Sequence, residues 1–164
     1  MKKSENVVKF NPKKKVNVLE RLMLLGILPK EGSFTNLKLL RLVKENLSFN
    51  EAENKALQFR AETNAEGAQM MIWNTSKLIN KETGDLVRAP EQLLQQMLEK
   101  DPDKFEARPA CPDKEIFFGE VIEALIRKAL TALDSAEKLM EDHYSLYEKF
   151  MEGHEDDSDG DTRH

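Results

Sequence analysis

Residues 16–59 read VNVLERLMLLGILPKEGSFTNLKLLRLVKENLSFNEAENKALQF, and the pattern of this stretch decides the fold class. Asn17 and Glu20 have the spacing of a capping box, in which a side-chain oxygen accepts an orphan amide and a carboxylate three residues on returns the favour. Behind them Val18, Leu19, Leu22, Met23 and Leu25 form an apolar stripe at helical spacing, which Pro29 and Gly32 end. Ser33 or Thr35 can cap a second helix, whose Leu37, Leu40, Val43 and Leu47 fall on one face. Ser48 and Glu51 have capping-box spacing again and open a short third helix, with Ala52, Ala56 and Leu57 inward. Three short helices joined by tight turns predict one compact helical core.

Working outward, Gln58–Thr63 and Gln69–Trp73 read as two strands of a hairpin. Asn64-Ala65-Glu66-Gly67 supplies the turn chemistry between them. From Thr75 to Pro112 the composition becomes loop-like. Lys81–Asp85 is a turn, and Pro90, Pro102, Pro109 and Pro112 all fall in this stretch. One amphipathic helix stands in it, opened by Pro90 and carrying Leu93, Leu94, Met97 and Leu98. Residues 75–112 therefore read as a loop-rich insertion that cannot bury a core alone. Glu115–Phe118 predicts a third strand, completing a small sheet with the hairpin. Gly119 releases the chain into a central helix over 120–133, where Val121, Ile122, Leu125, Ile126, Ala129, Leu130 and Leu133 cover more than half the circumference. A last helix near 138–151 presents Leu139, His143, Leu146, Tyr147 and Phe150. The expected fold is α+β and mostly helical: three N-terminal helices, a small antiparallel sheet, a long central helix and a C-terminal helix. It forms one domain over 16–151.

Size and composition narrow the classes. The chain has 164 residues, 40 % of them hydrophobic and 34 % charged, which suits a single solvated domain. No run of about 18 apolar residues exists to cross a membrane, and the first residues form no secretory signal. Cys111 is the sole cysteine, so no disulfide can form within the chain, and a reducing, cytoplasmic setting is expected. The formal net charge is −5, but the two ends have opposite sign. Lys2, Lys3, Lys9, Lys13, Lys14 and Lys15 stand against Glu5 in a basic arm over 1–15. Glu152, Glu155, Asp156, Asp157, Asp159 and Asp161 stand against Arg163 in an acidic tail over 152–164. Both ends lack the apolar content to offset the entropy of ordering, which predicts mobile segments.

Leu24-Leu25-Gly26-Ile27-Leu28-Pro29-Lys30-Glu31-Gly32, Leu47-Ser48-Phe49-Asn50-Glu51, Trp73-Asn74, Ala132-Leu133-Asp134 and Leu146-Tyr147-Glu148-Lys149-Phe150 occur in that order. In this the chain resembles a group of short uncharacterised proteins of bacteriophages and prophages. The resemblance covers 17–74 and 115–151, and 75–112 departs from it as a longer insertion. It implies an architecture, a phage or prophage origin, and a place in the host cytoplasm or the virion. None of its motifs is catalytic, so it implies no site residues.

Three helices followed by a hairpin invite a winged-helix arrangement, with the third helix in a DNA groove. That helix reads Asn50-Glu51-Ala52-Glu53-Asn54-Lys55, and its two carboxylates would meet phosphate repulsion. The six lysines of the arm are the stronger nucleic-acid candidates, since mobile lysines gain affinity by counterion release. Only Phe10 is interleaved with them for base stacking. Glu155–Gly160 resembles the start of a calcium loop, but the chain ends before the position that would complete it. His143, His154 and His164 make no pair suited to zinc, and Glu120 and Glu123 read as a solvated face. The scattered glycines form no phosphate loop, and no serine nucleophile motif occurs. Catalysis, metals and cofactors are therefore not expected.

Protein contact is the better-supported class. The apolar face Leu93, Leu94, Met97 and Leu98 must fold back on its own domain or meet another chain, and Trp73 is either a core anchor or a partner hot spot. The expected function is a non-catalytic accessory or assembly role through protein–protein contact and self-association. A nucleic-acid-associated regulator using the lysine arm is the alternative.

Overall fold

A computed structural model of the chain describes residues 13–152, and they form a mostly helical α+β protein. The elements in order are β1 (Lys14–Val16), α1 (Val18–Ile27), α2 (Phe34–Leu47), α3 (Glu51–Leu57), β2 (Arg60–Thr63), β3 (Gln69–Ile72), β4 (Ser76–Asn80), β5 (Leu86–Val87), α4 (Glu91–Lys100), β6 (Phe105–Pro109), β7 (Lys114–Ile116) and α5 (Gly119–Ser135). A tight turn at Glu141–His143, a single α-turn at Tyr144–Tyr147 and a wider turn at Glu148–Glu152 follow as one terminal helical segment. The chain divides into two compact units. One comprises the residues up to Ser48 and those from Asp113 on, and the other Phe49–Pro112. The inserted part is thus larger than the expected 75–112 and takes α3 and the hairpin with it.

The first unit grows from the capping box foreseen at Asn17. Its Oδ1 accepts the Glu20 N–H at 2.8 Å, and Glu20 Oε1 accepts the Asn17 N–H at 2.9 Å. The buried face of α1 is not the foreseen stripe. It consists of Val18, Glu20, Arg21 and Leu24, while Leu19, Leu22, Met23 and Leu25 are only partly buried. Ser33 caps α2, which buries Leu40, Val43 and Leu47 but leaves Leu37 exposed. The Arg21 side chain is fully buried and closes the other end of α2. Its Nε donates to the Leu47 carbonyl at 3.0 Å, and its Nη2 donates to the Ser48 carbonyl. Those carbonyls belong to the last turn, where no helical amide can reach them and where a cation meets the negative end of the helix dipole.

β7 pairs with β1, antiparallel, and not with the hairpin as expected. Val16 and Ile116 face the core from the two strands, and Lys15 stands directly opposite Glu115, an opposite-charge pair that favours this register. Lys14 and Lys15 are consequently strand residues and not part of a mobile arm. Gly119, at φ +82°, makes the left-handed step from β7 into α5 that a side chain would strain. α5 buries a narrow seam of Ile122, Glu123, Ile126 and Leu130, with Val121 exposed. The foreseen wide apolar belt reduces to one face, the face on which α1, α2 and the terminal segment pack. Leu146 and Phe150 complete the core, the Phe150 ring meeting Phe118 edge-on at 5.3 Å.

The second unit holds two small sheets. α3 is capped by Asn50 and Glu53, not by Ser48 and Glu51, and ends at Gln58 in the left-handed conformation. β2 and β3 form the expected hairpin, with Arg60 opposite Ile72 and Gly67 at φ +87° in its turn. β4 is the central strand between β5 and β6. Pro109 is accommodated at the end of β6, an edge strand, where a missing amide is harmless. Leu78, Ala89, Leu94 and Phe105 make a core of their own here, so 75–112, loop-like in composition, is a sheet with a helix packed on it. The alternation that marks a strand was hidden because Leu78 alone is deeply buried in β4.

Replacing Arg21 by Met should lower the unfolding free energy by about 3 kcal/mol, since two carbonyls lose a charged donor; urea titration followed by circular dichroism measures this. Leu94→Ala should cost about 2–5 kcal/mol in the second unit, seen as lost hydrogen-exchange protection across β4 and β6.

Candidate functional site

The protein-contact candidates Leu93, Leu94, Met97, Leu98 and Trp73 all lie in the second unit. Leu94 is buried against Leu78, Ala89 and Phe105, and Met97 and Leu98 are packed on the same cluster. α4 is clamped at its start by Glu91, whose carboxylate accepts both the N–H and the hydroxyl of Thr75 at 2.6 Å. The apolar face proposed for a partner has folded back on its own sheet, and only Leu93 remains exposed. Trp73 is half-buried and lies 5.7 Å from Phe59, which in turn meets Phe49 at 5.2 Å, so it belongs to an aromatic row within its unit. Neighbouring Asn74 is buried, donating to the Ala89 carbonyl and accepting from Arg60.

Lys13, Lys14 and Lys15 are described; Lys2, Lys3 and Lys9, like the tail from 153 on, lie outside the described residues. The Lys14 ammonium sits 5.2 Å from the centre of the Phe150 ring and donates to the Lys149 carbonyl at 3.3 Å. Cys111 is half-buried, with Sγ 3.6 Å from Glu53 Oε2. Glu120 is exposed, whereas Glu123 is buried beside Arg127 at 3.6 Å, so the two carboxylates do not share one solvated face. Among the described residues no group of three or more His, Cys, Asp or Glu is placed to hold a metal ion.

A recess that the sequence did not single out lies in the first unit, where α5 gives way to the terminal segment. Three consecutive backbone bonds shape the turn. Ala136 N–H donates to Ala132, Glu137 N–H to Asp134 at 3.0 Å, and Lys138 N–H to Leu133 at 2.8 Å. Glu137 holds the left-handed position of this helix stop, φ +57°, where glycine is commonest. The chain then doubles back, and the buried His143 closes the next turn, its Nδ1 accepting the Met140 N–H at 3.0 Å. Asp134, Leu139, Met140, His143, Tyr144, Tyr147 and Glu148 line a cleft of about 270 Å³. The Tyr147 hydroxyl donates to Asp134 Oδ2 at 3.2 Å, tying its two walls. Tyr144 is 64 % exposed and Met140 56 % exposed, so an aromatic ring and a thioether stand at its mouth. Between residues 134 and 148, Asp134, Glu137, Glu141, Asp142 and Glu148 outnumber Lys138, giving this region an acidic character.

The opposite side of the terminal segment is locked to α1. Glu20 is buried, and its carboxylate accepts from Ser145 Oγ at 2.6 Å and from Lys149 Nζ at 2.8 Å. Lys149 also donates to the Lys15 carbonyl at 2.6 Å, which joins β1 to the same network. Burial pushes the Glu20 carboxyl up, but the bonds from Lys149, Ser145 and the Asn17 amide outweigh it and hold the group below its ordinary 4.5. The cleft is thereby built on a fixed segment.

A second surface is the outer face of α2. Phe34, Leu37, Lys38, Arg41 and Glu45 follow one another at helical spacing beside the buried stripe. Phe34 is 77 % exposed, and the Lys38 ammonium lies 6.0 Å from its ring centre. Leu37, Arg41, Lys44 and Glu45 line a shallow groove along it. The sequence held part of the signal for this face, because Phe34 falls more than a quarter-turn off the Leu40–Val43–Leu47 stripe; Leu37, expected on that stripe, lies at its edge and is left exposed.

A carboxyl whose folded pKa lies below its unfolded value adds stability above the unfolded pKa and loses it as pH falls through the folded pKa. The wild-type chain should therefore lose stability on acidification below about 4.5. Glu20→Gln should be less stable at neutral pH and show a shallower loss over the same window, as read from denaturant titrations at stepped pH. Compared with known proteins, the chain matches no family model, no curated protein and no solved structure.

Proposed function

We propose that this chain is a non-catalytic accessory or assembly protein, of the phage or prophage type its motifs resemble, that works by protein–protein contact and associates with itself. The observation that carries the reading is apolar surface left open beside charge at two places on the first unit: Phe34 and Leu37 on α2, and Met140 and Tyr144 at the mouth of the cleft. Scattered exposed apolar groups need no explanation, but clusters rimmed by charge are the usual mark of an interaction surface. The cleft, at about 270 Å³, lies below the roughly 300–1,000 Å³ of ordinary small-molecule sites. A space of that size suits side chains of a partner.

The nucleic-acid alternative draws on the N-terminal lysines. Lys14 and Lys15 are strand residues, and Lys14 is engaged with Phe150 and the Lys149 carbonyl, which weighs against an arm free to track phosphates over its whole length. Among the described residues no helix is long and apolar enough to cross a membrane.

Sedimentation equilibrium across micromolar to millimolar protein should show an average mass that rises with concentration. The rise should be smaller as salt goes from about 0.1 to 1 M, where the screening length falls from about 10 to 3 Å. One monomer mass at every concentration and salt would remove the self-association reading.

A further inference from the structure

Two open surfaces of the first unit are opposite in charge and alike in carrying apolar groups. The α2 face presents Lys38, Arg41 and Lys44 against Glu45, with Phe34 and Leu37 among them. The cleft presents Asp134 and Glu148, with Met140 and Tyr144 at its mouth and Glu141 and Asp142 exposed nearby. Lys38 and Arg41 have no carboxylate partner among the described ion pairs, and neither has Glu148. Each surface therefore offers what the other lacks.

We propose that the α2 face of one copy docks in the acidic cleft of a second copy, head to tail, with Phe34 and Leu37 entering beside Tyr144 and Met140 and with Lys38 and Arg41 meeting Glu148 and Asp134. The inference rests on the self-association reading above and specifies its surfaces. Charge complementarity identifies the occupant: a basic helix face with an exposed aromatic ring fits an acidic recess with an aromatic lip, and the chain carries both. Phe34 supplies an anchor for the space, and aromatic residues packed into partner recesses carry much of the energy of small interfaces. Because the two surfaces differ, the contact leaves an unused face at one end and an unused cleft at the other. Association therefore continues into a ring or a linear array and does not stop at a symmetric pair.

The test uses two full-length variants, each altering only exposed side chains. Lys38→Glu with Arg41→Glu spoils the face and spares the cleft; Tyr144→Ser with Glu148→Lys does the reverse. Each alone should self-associate roughly tenfold or more weakly than wild type. Mixed in equal amounts they should form a 1:1 heterodimer that grows no further, because only one intact face and one intact cleft remain between them. Light scattering behind size exclusion reads the mass, and circular dichroism confirms that both variants are folded. If wild type associates while the variants associate equally well, or if mixing gives no heterodimer, the docking is overturned and self-association through another surface stands. A wild type that stays monomeric overturns both readings. In that case a labelled duplex that binds wild type and not the Lys38→Glu, Arg41→Glu variant would reassign the α2 face to nucleic acid.

Discussion

A guanidinium buried at the end of a helix organises the first unit. Arg21 projects from α1 into a space from which water is excluded and donates to the carbonyls of Leu47 and Ser48. Burying a cation costs several kcal/mol unless its donors are satisfied, and the same burial would leave the last α2 carbonyls unpaired without it. The two costs offset each other only in one arrangement of the helices. This fixes α1 against α2 more specifically than Leu24, Leu40 and Leu47 could, since apolar contacts tolerate sliding. The next residue, Glu20, performs the corresponding task on the terminal segment through Ser145 and Lys149.

These two adjacent charges connect stability to surface. The Glu20–Lys149 contact and the Lys149 bond to the Lys15 carbonyl hold β1, α1 and the terminal segment as one piece. With that side fixed, the other side of the segment can present Tyr144 and Glu148 at a defined distance from Asp134 at the end of α5. The left-handed Glu137 belongs to the same economy of form: a non-glycine residue there is unfavourable locally and is held by the helix-stop hydrogen bonds around it. The acidic recess is thus a product of how α5 ends, and the basic face is a product of which side of α2 the core leaves uncovered.

The second unit follows a different rule. Its core is small, and much of its order comes from polar contacts: Asn74 between Arg60 and the Ala89 carbonyl, Glu91 on Thr75, and Asn64 and Asn80 closing turns with their side-chain oxygens. Such side-chain to backbone bonds satisfy the turns of short strands where few apolar residues are at hand. They also explain why 75–112 resembled loop in composition, since polar residues in these strands and turns serve hydrogen bonding and not exposure alone.

Local structure was legible along the chain: the Asn17–Glu20 cap, a start of α2 at Ser33 or Thr35, the hairpin turn at Asn64–Gly67, a helix around Leu93–Leu98 and a helix over 120–133, the last two extending to 91–100 and 119–135 in the fold. These depend on neighbours three or four residues apart, and their signals are readable in order along the chain. Tertiary structure decided the rest. That β7 pairs with β1, that Arg21 and Glu20 are buried while Leu19 and Leu22 are not fully so, and that Leu94, Met97 and Leu98 are consumed within their own unit all depend on contacts between distant residues. Charge on a helix is normally read as facing water. Only a partner found far along the chain, a helix end for Arg21 and Ser145 with Lys149 for Glu20, reverses that reading, and spacing alone gives no sign of such partners.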